Sequence, residues 1–347
     1  MLFMASLFDG LLVSSPNERG GLFYIHNKWA YRLDELSSTG LSIKDDHILR
    51  GIQPSSVVCY GYDDLCKFKS LPVTVGDIHD VLWIDDGFYA VCTARNEVIK
   101  FDEYGRIVDN WIYNGEKNSW HINCLTGWSG SVVFSAFGRF SDVRGYTGKT
   151  KGAGFVQDLL DGRLIIDNLS QPHSLVSVNG HLLLANSELF ELREYDENGL
   201  LLRSLAFDGY VRGICVADDV IYVGISSSRN VTNPKVDHAM IVAINSKTWG
   251  ELDRIDLASK EVYSIVQLST KEAIMAVLLN VVEQSRLQCV DKVNELHGQI
   301  AIMEREVGSR DKVIAEYQRQ VMMMHDSWAW KATKPLRKIT RWIHNKI

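Results

Sequence analysis

A short phrase recurs along this chain at one structural place, and few folds accommodate such a repeat. A strand opens beside a histidine or arginine, a turn follows, and a second strand closes on small polar residues. Four copies are legible: Asp77-Ile78-His79-Asp80, Ser119-Trp120-His121-Ile122-Asn123, Gln171-Pro172-His173-Ser174 and Tyr210-Val211-Arg212-Gly213. The key residues are 42 (His79 to His121), 52 (His121 to His173) and 39 (His173 to Arg212) positions apart. Units of about 40–50 residues that each hold several short strands are the signature of propeller blades. Equivalent positions of all blades point at one central channel. The four key residues are therefore expected to meet at a single site.

The strand pattern agrees with this reading. Val81–Ile84, Phe88–Cys92, Glu97–Asp102 and Ile107–Trp111 are apolar or alternating runs joined by turn residues. The order recurs from Leu175 to Leu205, where Asn179-Gly180 makes the strongest short hairpin signal, and again from Ile214 to Ile255. Leu11–Ser15 and Gly21–Ile25 add a less regular N-terminal pair. Residues 1–280 thus predict an all-β propeller of about six four-stranded blades. The acidic doublets Asp45-Asp46, Asp63-Asp64, Asp85-Asp86 and Asp218-Asp219 read as turn residues that cap their own backbone.

After each key residue, the second strand of the same unit ends in hydroxyl or amide groups. The expected channel-mouth cup comprises His79, His121, Asn123, His173, Ser174, Asn186, Ser187, Arg212, Ser226, Ser228 and Arg229. Three neutral imidazoles, His79, His121 and His173, could hold a divalent metal with an open position for water. The two arginines could instead grip a phosphate or carboxylate. The plainest alternative is that these groups satisfy backbone atoms at strand ends. There is no glycine-rich phosphate loop, nucleophile elbow or zinc-finger spacing, so a binding scaffold and a propeller enzyme (hydrolase, lactonase or transferase) both stay open. Catalytic residues and cofactor are unassigned.

Leu12-Val13-Ser14-Ser15-Pro16-Asn17-Glu18, Trp120-His121-Ile122-Asn123, Gln171-Pro172-His173-Ser174, Gly209–Gly213 and Val223–Arg229 together resemble an uncharacterised bacterial β-propeller family, known only as a domain of unknown function. The resemblance implies the propeller fold and no activity. It points to His121, His173, Arg212, Ser228 and Arg229 as the family's site positions.

From Leu279 the period changes. Apolar residues fall alternately three and four apart, filling 12 of 14 seam positions, with Arg286 and Arg310 at the other two. A 3.5-residue period sustained over about six heptads predicts a coiled-coil stalk, residues 281–326, roughly 70 Å long and self-associating. The oligomer order is open.

Residues 327–347 carry six basic side chains and no acidic one, while the rest of the chain carries 31 basic and 43 acidic residues. An overall net charge of −6 argues against nucleic acid as a partner, and the uneven balance suits an anionic partner for the tail. Trp328, Trp330 and Trp342 with Lys334, Arg337, Lys338 and Arg341 fit an amphipathic helix lying on an anionic membrane. The segment Ser327-Trp328…Thr333…Pro335-Leu336-Arg337 is similar to a C-terminal signature of bacterial surface-polysaccharide glycosyltransferases and their companions. That resemblance implies a place in O-antigen or capsule assembly, glycosyltransferase partners, and a peripheral position on the cytoplasmic face of the inner membrane. The start of the chain lacks the features of a secretory signal. The six cysteines form no Cys-x-x-Cys pair and read as reduced, mostly buried thiols.

Overall fold

A computed structural model describes residues 7–17, 19–44, 47–61, 68–71, 76–84, 87–227, 236–327 and 331. Two compact units emerge, residues 1–284 and residues 285–347.

The first unit is a six-bladed β-propeller, each blade a four-stranded antiparallel sheet. Blade 2 contains Ser38–Lys44, His47–Ile52, Ser56–Gly61 and Phe68–Leu71, in order from the channel outward. Blade 3 contains Ile78–Ile84, Gly87–Cys92, Glu97–Phe101 and Ile107–Ile112. Blade 4 contains Ile122–Trp128, Ser131–Ala136, Gly154–Asp158 and Leu164–Leu169. Blade 5 contains Pro172–Val178, His181–Asn186, Glu191–Tyr195 and Leu201–Ala206. Blade 6 contains Tyr210–Ala217, Val220–Ser226, Ala239–Asn245 and Glu251–Leu257.

Blade 1 closes the ring. Its three outer strands, Leu11–Ser15, Gly21–His26 and Trp29–Arg32, come from the start of the chain, and its inner strand, Ser264–Gln267, comes from the far end. Leu11 to Ser14 pair with Gln267 to Ser264. Closing the ring leaves no open inner edge for another strand to add to.

The core is divided among the six blade junctions. Leu182 and Leu184 face blade 4, while Leu183 and Ala185 face blade 6. Both faces of the second strands are buried, so these strands read as continuous apolar runs rather than alternating ones. Asp218-Asp219 occupies the hairpin turn of blade 6, with Asp218 at φ 51. The other three doublets lie outside the described residues.

Helix α1 (Lys271–Asp326) starts where Thr270 Oγ1 accepts from the Ala273 N–H at 3.0 Å, an N-cap arrangement. Ala273, Val277 and Val281 pack against blades 1 and 2. Beneath them Arg50, fully buried, donates to Asp34 Oδ2 at 2.6 Å, to Asp34 Oδ1 at 2.8 Å and to the Tyr60 hydroxyl at 2.9 Å. Tyr60 in turn donates to Gln284 Oε1 at 2.7 Å. The propeller unit therefore extends past residue 280, to Gln284.

In the second unit α1 is solvent-exposed, and Val293, Leu296, Ile300, Met303, Val307, Ile314, Tyr317, Val321 and Met324 are all uncovered. Among the described residues no helix is long and apolar enough to cross a membrane. Trp328, Trp330, Lys334, Arg337, Lys338, Arg341 and Trp342 lie outside the described residues.

Candidate functional site

One hydrogen bond recurs at all six blade junctions, and it sets the register of the channel. A buried hydroxyl of one blade donates to a main-chain carbonyl at the start of the next blade's inner strand. Ser14 reaches Thr39 O, Thr39 reaches Ile78 O (3.2 Å), and Thr93 reaches Ile122 O (2.7 Å). Ser135 reaches Pro172 O (3.4 Å), Ser187 reaches Val211 O (2.7 Å), and Ser226 reaches Val262 O (3.3 Å). These bonds satisfy carbonyls that water cannot reach. The small polar residues that end the second strands thus join blades, which is the plainest of the alternatives for Ser187 and Ser226. Asn186 likewise serves the backbone, its Oδ1 accepting from Ser170 N at 2.7 Å.

The residues that follow those six carbonyls are Gly40, His79, Asn123, His173, Arg212 and Tyr263. This register aligns Asn123, rather than His121, with His79, His173 and Arg212, so the spacing read from the sequence is corrected at that copy. His121 occupies the left-handed position before the strand, at φ 50, as do Asp77 (φ 56) and Gln171 (φ 49) in their blades. The histidine at this copy stands two positions before Asn123, just ahead of the strand Ile122–Trp128, and matches the repeat by residue type alone. His121 still reaches the mouth, its ring 4.9 Å from that of His79 and 4.2 Å from Phe137.

Arg212 organises the ring. Its Nη1 donates to Glu261 Oε2 at 2.7 Å, its Nη2 lies 2.8 Å from His173 Nε2, and its guanidinium stacks 4.6 Å from the Tyr263 ring centre. Tyr263 crosses the channel to donate to Asn123 Oδ1 at 3.0 Å. Burial lowers the basicity of Arg212, but Glu261 and the tyrosines outweigh it and hold the guanidinium charged. His173 is pushed well below the usual histidine range, by burial first and by Arg212 second. Its Nδ1 is 2.9 Å from Gln171 O, which assigns the proton to Nδ1 and makes Nε2 the acceptor for Arg212.

That engagement matters for the metal reading. The Nε2 lone pair of His173 is directed at a cation of the protein itself, so the three imidazoles do not present a common set of open nitrogens. Among the described residues no group of three or more His, Cys, Asp or Glu is placed to hold a metal ion. Ser174, also expected at the mouth, accepts from Gly213 N at 2.8 Å and ties blade 5 to blade 6. Ser228 and Arg229 lie outside the described residues.

Above the ring, a cavity of about 60 Å³ is lined by Gln53, His79, His121, Arg144, Tyr146 and Arg212, among others. Two buried donors of the ring, Arg212 Nε on a residue lining this cavity and Asn123 Nδ2, have no hydrogen-bond partner among the described residues. Below the ring lies a larger cavity of about 420 Å³, walled by the inner strands of all six blades. Tyr263 lines both and separates them.

Glu261, Tyr263, Phe137 and Tyr146 are site residues that the sequence reading missed. Val262-Tyr263-Ser264 is a fifth copy of the phrase, with an aromatic residue in place of the histidine or arginine. Comparing it with Val211-Arg212-Gly213 could have found Tyr263. Phe137 and Tyr146 sit outside the repeated strands and gave no such signal.

The family profile described as Domain of unknown function (DUF4915) matches residues 62–285. No curated protein matches the chain. Among solved structures, a chain of a nidogen/laminin complex superposes with a TM-score of 0.56 at 11% identity, covering 75% of this chain and 98% of that one. A protein of unknown function from Bacteroides caccae gives 0.52 at 13% identity, also covering 75% of this chain and 98% of the other. At such identities the likeness is one of fold alone.

Proposed function

We propose that this chain, which belongs to the DUF4915 family, is a ligand-binding propeller whose channel mouth receives an oxygen-bearing group of a glycan or sugar phosphate. The observation that carries this reading is the unpartnered Nε donor of buried Arg212 beside the mouth cavity. Buried donors without an acceptor are rare and costly. A carboxylate, phosphate or hydroxyl oxygen entering between His79, His121 and Arg144 supplies the acceptor. Binding is favoured over hydrolysis because His173, the most deeply placed imidazole, is held neutral and already engaged.

The wider proposal is a membrane-peripheral scaffold of bacterial surface-polysaccharide assembly, located on the cytoplasmic face and working beside glycosyltransferases. The basic, tryptophan-containing composition of residues 327–347 supports it. Self-association through α1 is part of the same proposal. With Leu279 as the first seam position, Val293, Ile300, Val307, Ile314 and Val321 share one seam row, and Cys289, Leu296, Met303 and Met324 the other. β-Branched residues at a with longer apolar residues at d favour a parallel two-stranded coil.

The test is calorimetric titration of the full chain with glucuronic acid and glucose 1-phosphate, alongside Arg144→Ala and His121→Ala. Saturable binding that weakens at least tenfold in both variants supports the mouth reading. Equal binding by wild type and variants, or none, rejects it. Full-length protein that fails to float with anionic liposomes rejects the tail proposal separately.

A further inference from the structure

The larger cavity below Tyr263 has a different chemistry from the mouth. Its lining is made of inner-strand residues such as Ser42, Thr126, Ser177 and Gln267, with apolar neighbours, and Asp80 is the one charged side chain among its described lining residues. The fold goes to some length to place that carboxylate. Oδ1 accepts from Val81 N at 2.9 Å within blade 3, and Oδ2 accepts from Leu125 N at 2.9 Å in blade 4. Blade 2 makes room for it, because a Cβ at Gly40 would lie 2.3 Å from Asp80 Oδ1. Three blades thus hold one carboxylate against a cavity of about 420 Å³, large enough for a small ligand. Among the described residues no basic side chain forms an ion pair with it, and the buried Arg50 and Arg212 each have a carboxylate of their own. A carboxylate oxygen carries more lone pairs than one main-chain N–H uses.

We propose that this cavity is a second binding site, distinct from the mouth, which takes a compact primary ammonium compound with its nitrogen on Asp80. The ammonium supplies the missing countercharge and donates to the free lone pairs of both oxygens. Its short stem lies against Leu41, Leu82 and Val216, which line the same space. The proposal stands apart from the mouth reading, because Tyr263 separates the two cavities.

The site has a built-in pH dependence. Burial pushes the Asp80 carboxyl up to about 7 against the pull of its two main-chain donors. Cys124 from blade 4 and Tyr263 from blade 1 face it, and burial raises both well above their ordinary values, so both stay neutral around pH 7. Only the ionised carboxylate holds an ammonium, so affinity should rise about tenfold between about pH 6 and about pH 8.

The experiment is calorimetric titration of the full chain with ethanolamine hydrochloride at those two pH values, with ethylene glycol as the uncharged control. Saturable binding, about tenfold tighter at the higher pH, absent with ethylene glycol and kept in Arg144→Ala, is the expected result. Asp80→Asn should abolish it. Ser177→Trp, an exposed position on the cavity wall, should block it even if Asp80→Asn proves unstable. Absence of ethanolamine binding at either pH, equal binding of ethylene glycol, or binding that survives Ser177→Trp with the wild-type affinity would overturn the proposal.

Discussion

Removing the Arg212 side chain as Arg212→Met should destabilise the propeller chiefly through what it leaves behind. Arg212 and Glu261 are each 6% exposed, with Nη1 and Oε2 2.7 Å apart. Without the guanidinium, Glu261 becomes a buried, unpaired carboxylate, and breaking such a pair typically costs about 3–5 kcal/mol. Urea denaturation at about pH 7.5 measures it for wild type, Arg212→Met, Glu261→Gln and the double variant. The double variant should recover about 2 kcal/mol or more of the loss. A cost for Arg212→Met that Glu261→Gln does not rescue would show that the guanidinium contributes mainly through packing on Tyr263, and the charge argument would fail.

Asp80 should make stability fall as pH rises. Its folded carboxyl value of about 7 exceeds its ordinary value of 3.8, so the folded state keeps a proton that the unfolded chain has released. This contribution is fully present below about pH 4 and lost by about pH 7, amounting to at most ~4 kcal/mol. Asp80→Asn should flatten that part of the pH–stability curve, and an unchanged slope in urea titrations would contradict it. Ser187→Ala, which removes both the donor to Val211 O and a neighbour of His173 Nδ1, should cost about 1–3 kcal/mol. The exposed Ser204→Ala control should stay within about 0.5 kcal/mol, and equal effects would mean that the junction bond adds nothing. Cys289 is exposed in the helical seam, so mild oxidation of the full chain should give a covalent dimer that Cys289→Ser lacks. Failure to crosslink while the chain runs as a dimer in solution would argue for antiparallel helices.

The blades were legible because each is a local object. Asn179-Gly180 fixes a hairpin without help from the rest of the chain, and Val220–Ser226 announces a strand buried on both faces. The ring closure was not legible, since Ser264–Gln267 pairs with Leu11–Ser15 across almost the whole sequence and nothing local marks that partner. The same distance hid Glu261 from the site, whereas Tyr263 carried a local signal as a fifth, aromatic copy of the repeated phrase. His121 was legible as a mouth residue but misaligned, because it matches the repeat by residue type two positions before Asn123, and only the junction bond from Thr93 to Ile122 O fixes the register. Arg50 shows another limit. It reads as one charge in an apolar strand, and only the packed structure reveals Asp34, Tyr60 and Gln284 around it.

Sequence alone determined the architecture of this protein: a propeller followed by a long helix with a 3.5-residue apolar seam. Periodicity and turn chemistry act over a few residues, and both are written directly in the chain. Tertiary structure alone decided what the polar groups do. Ser187 and Ser226 could hold a ligand or a neighbouring blade, and Asp80 could cap a turn or face a cavity. A hydrogen bond is made or missed over tenths of an ångström, and those distances exist only once six blades have closed around a common axis.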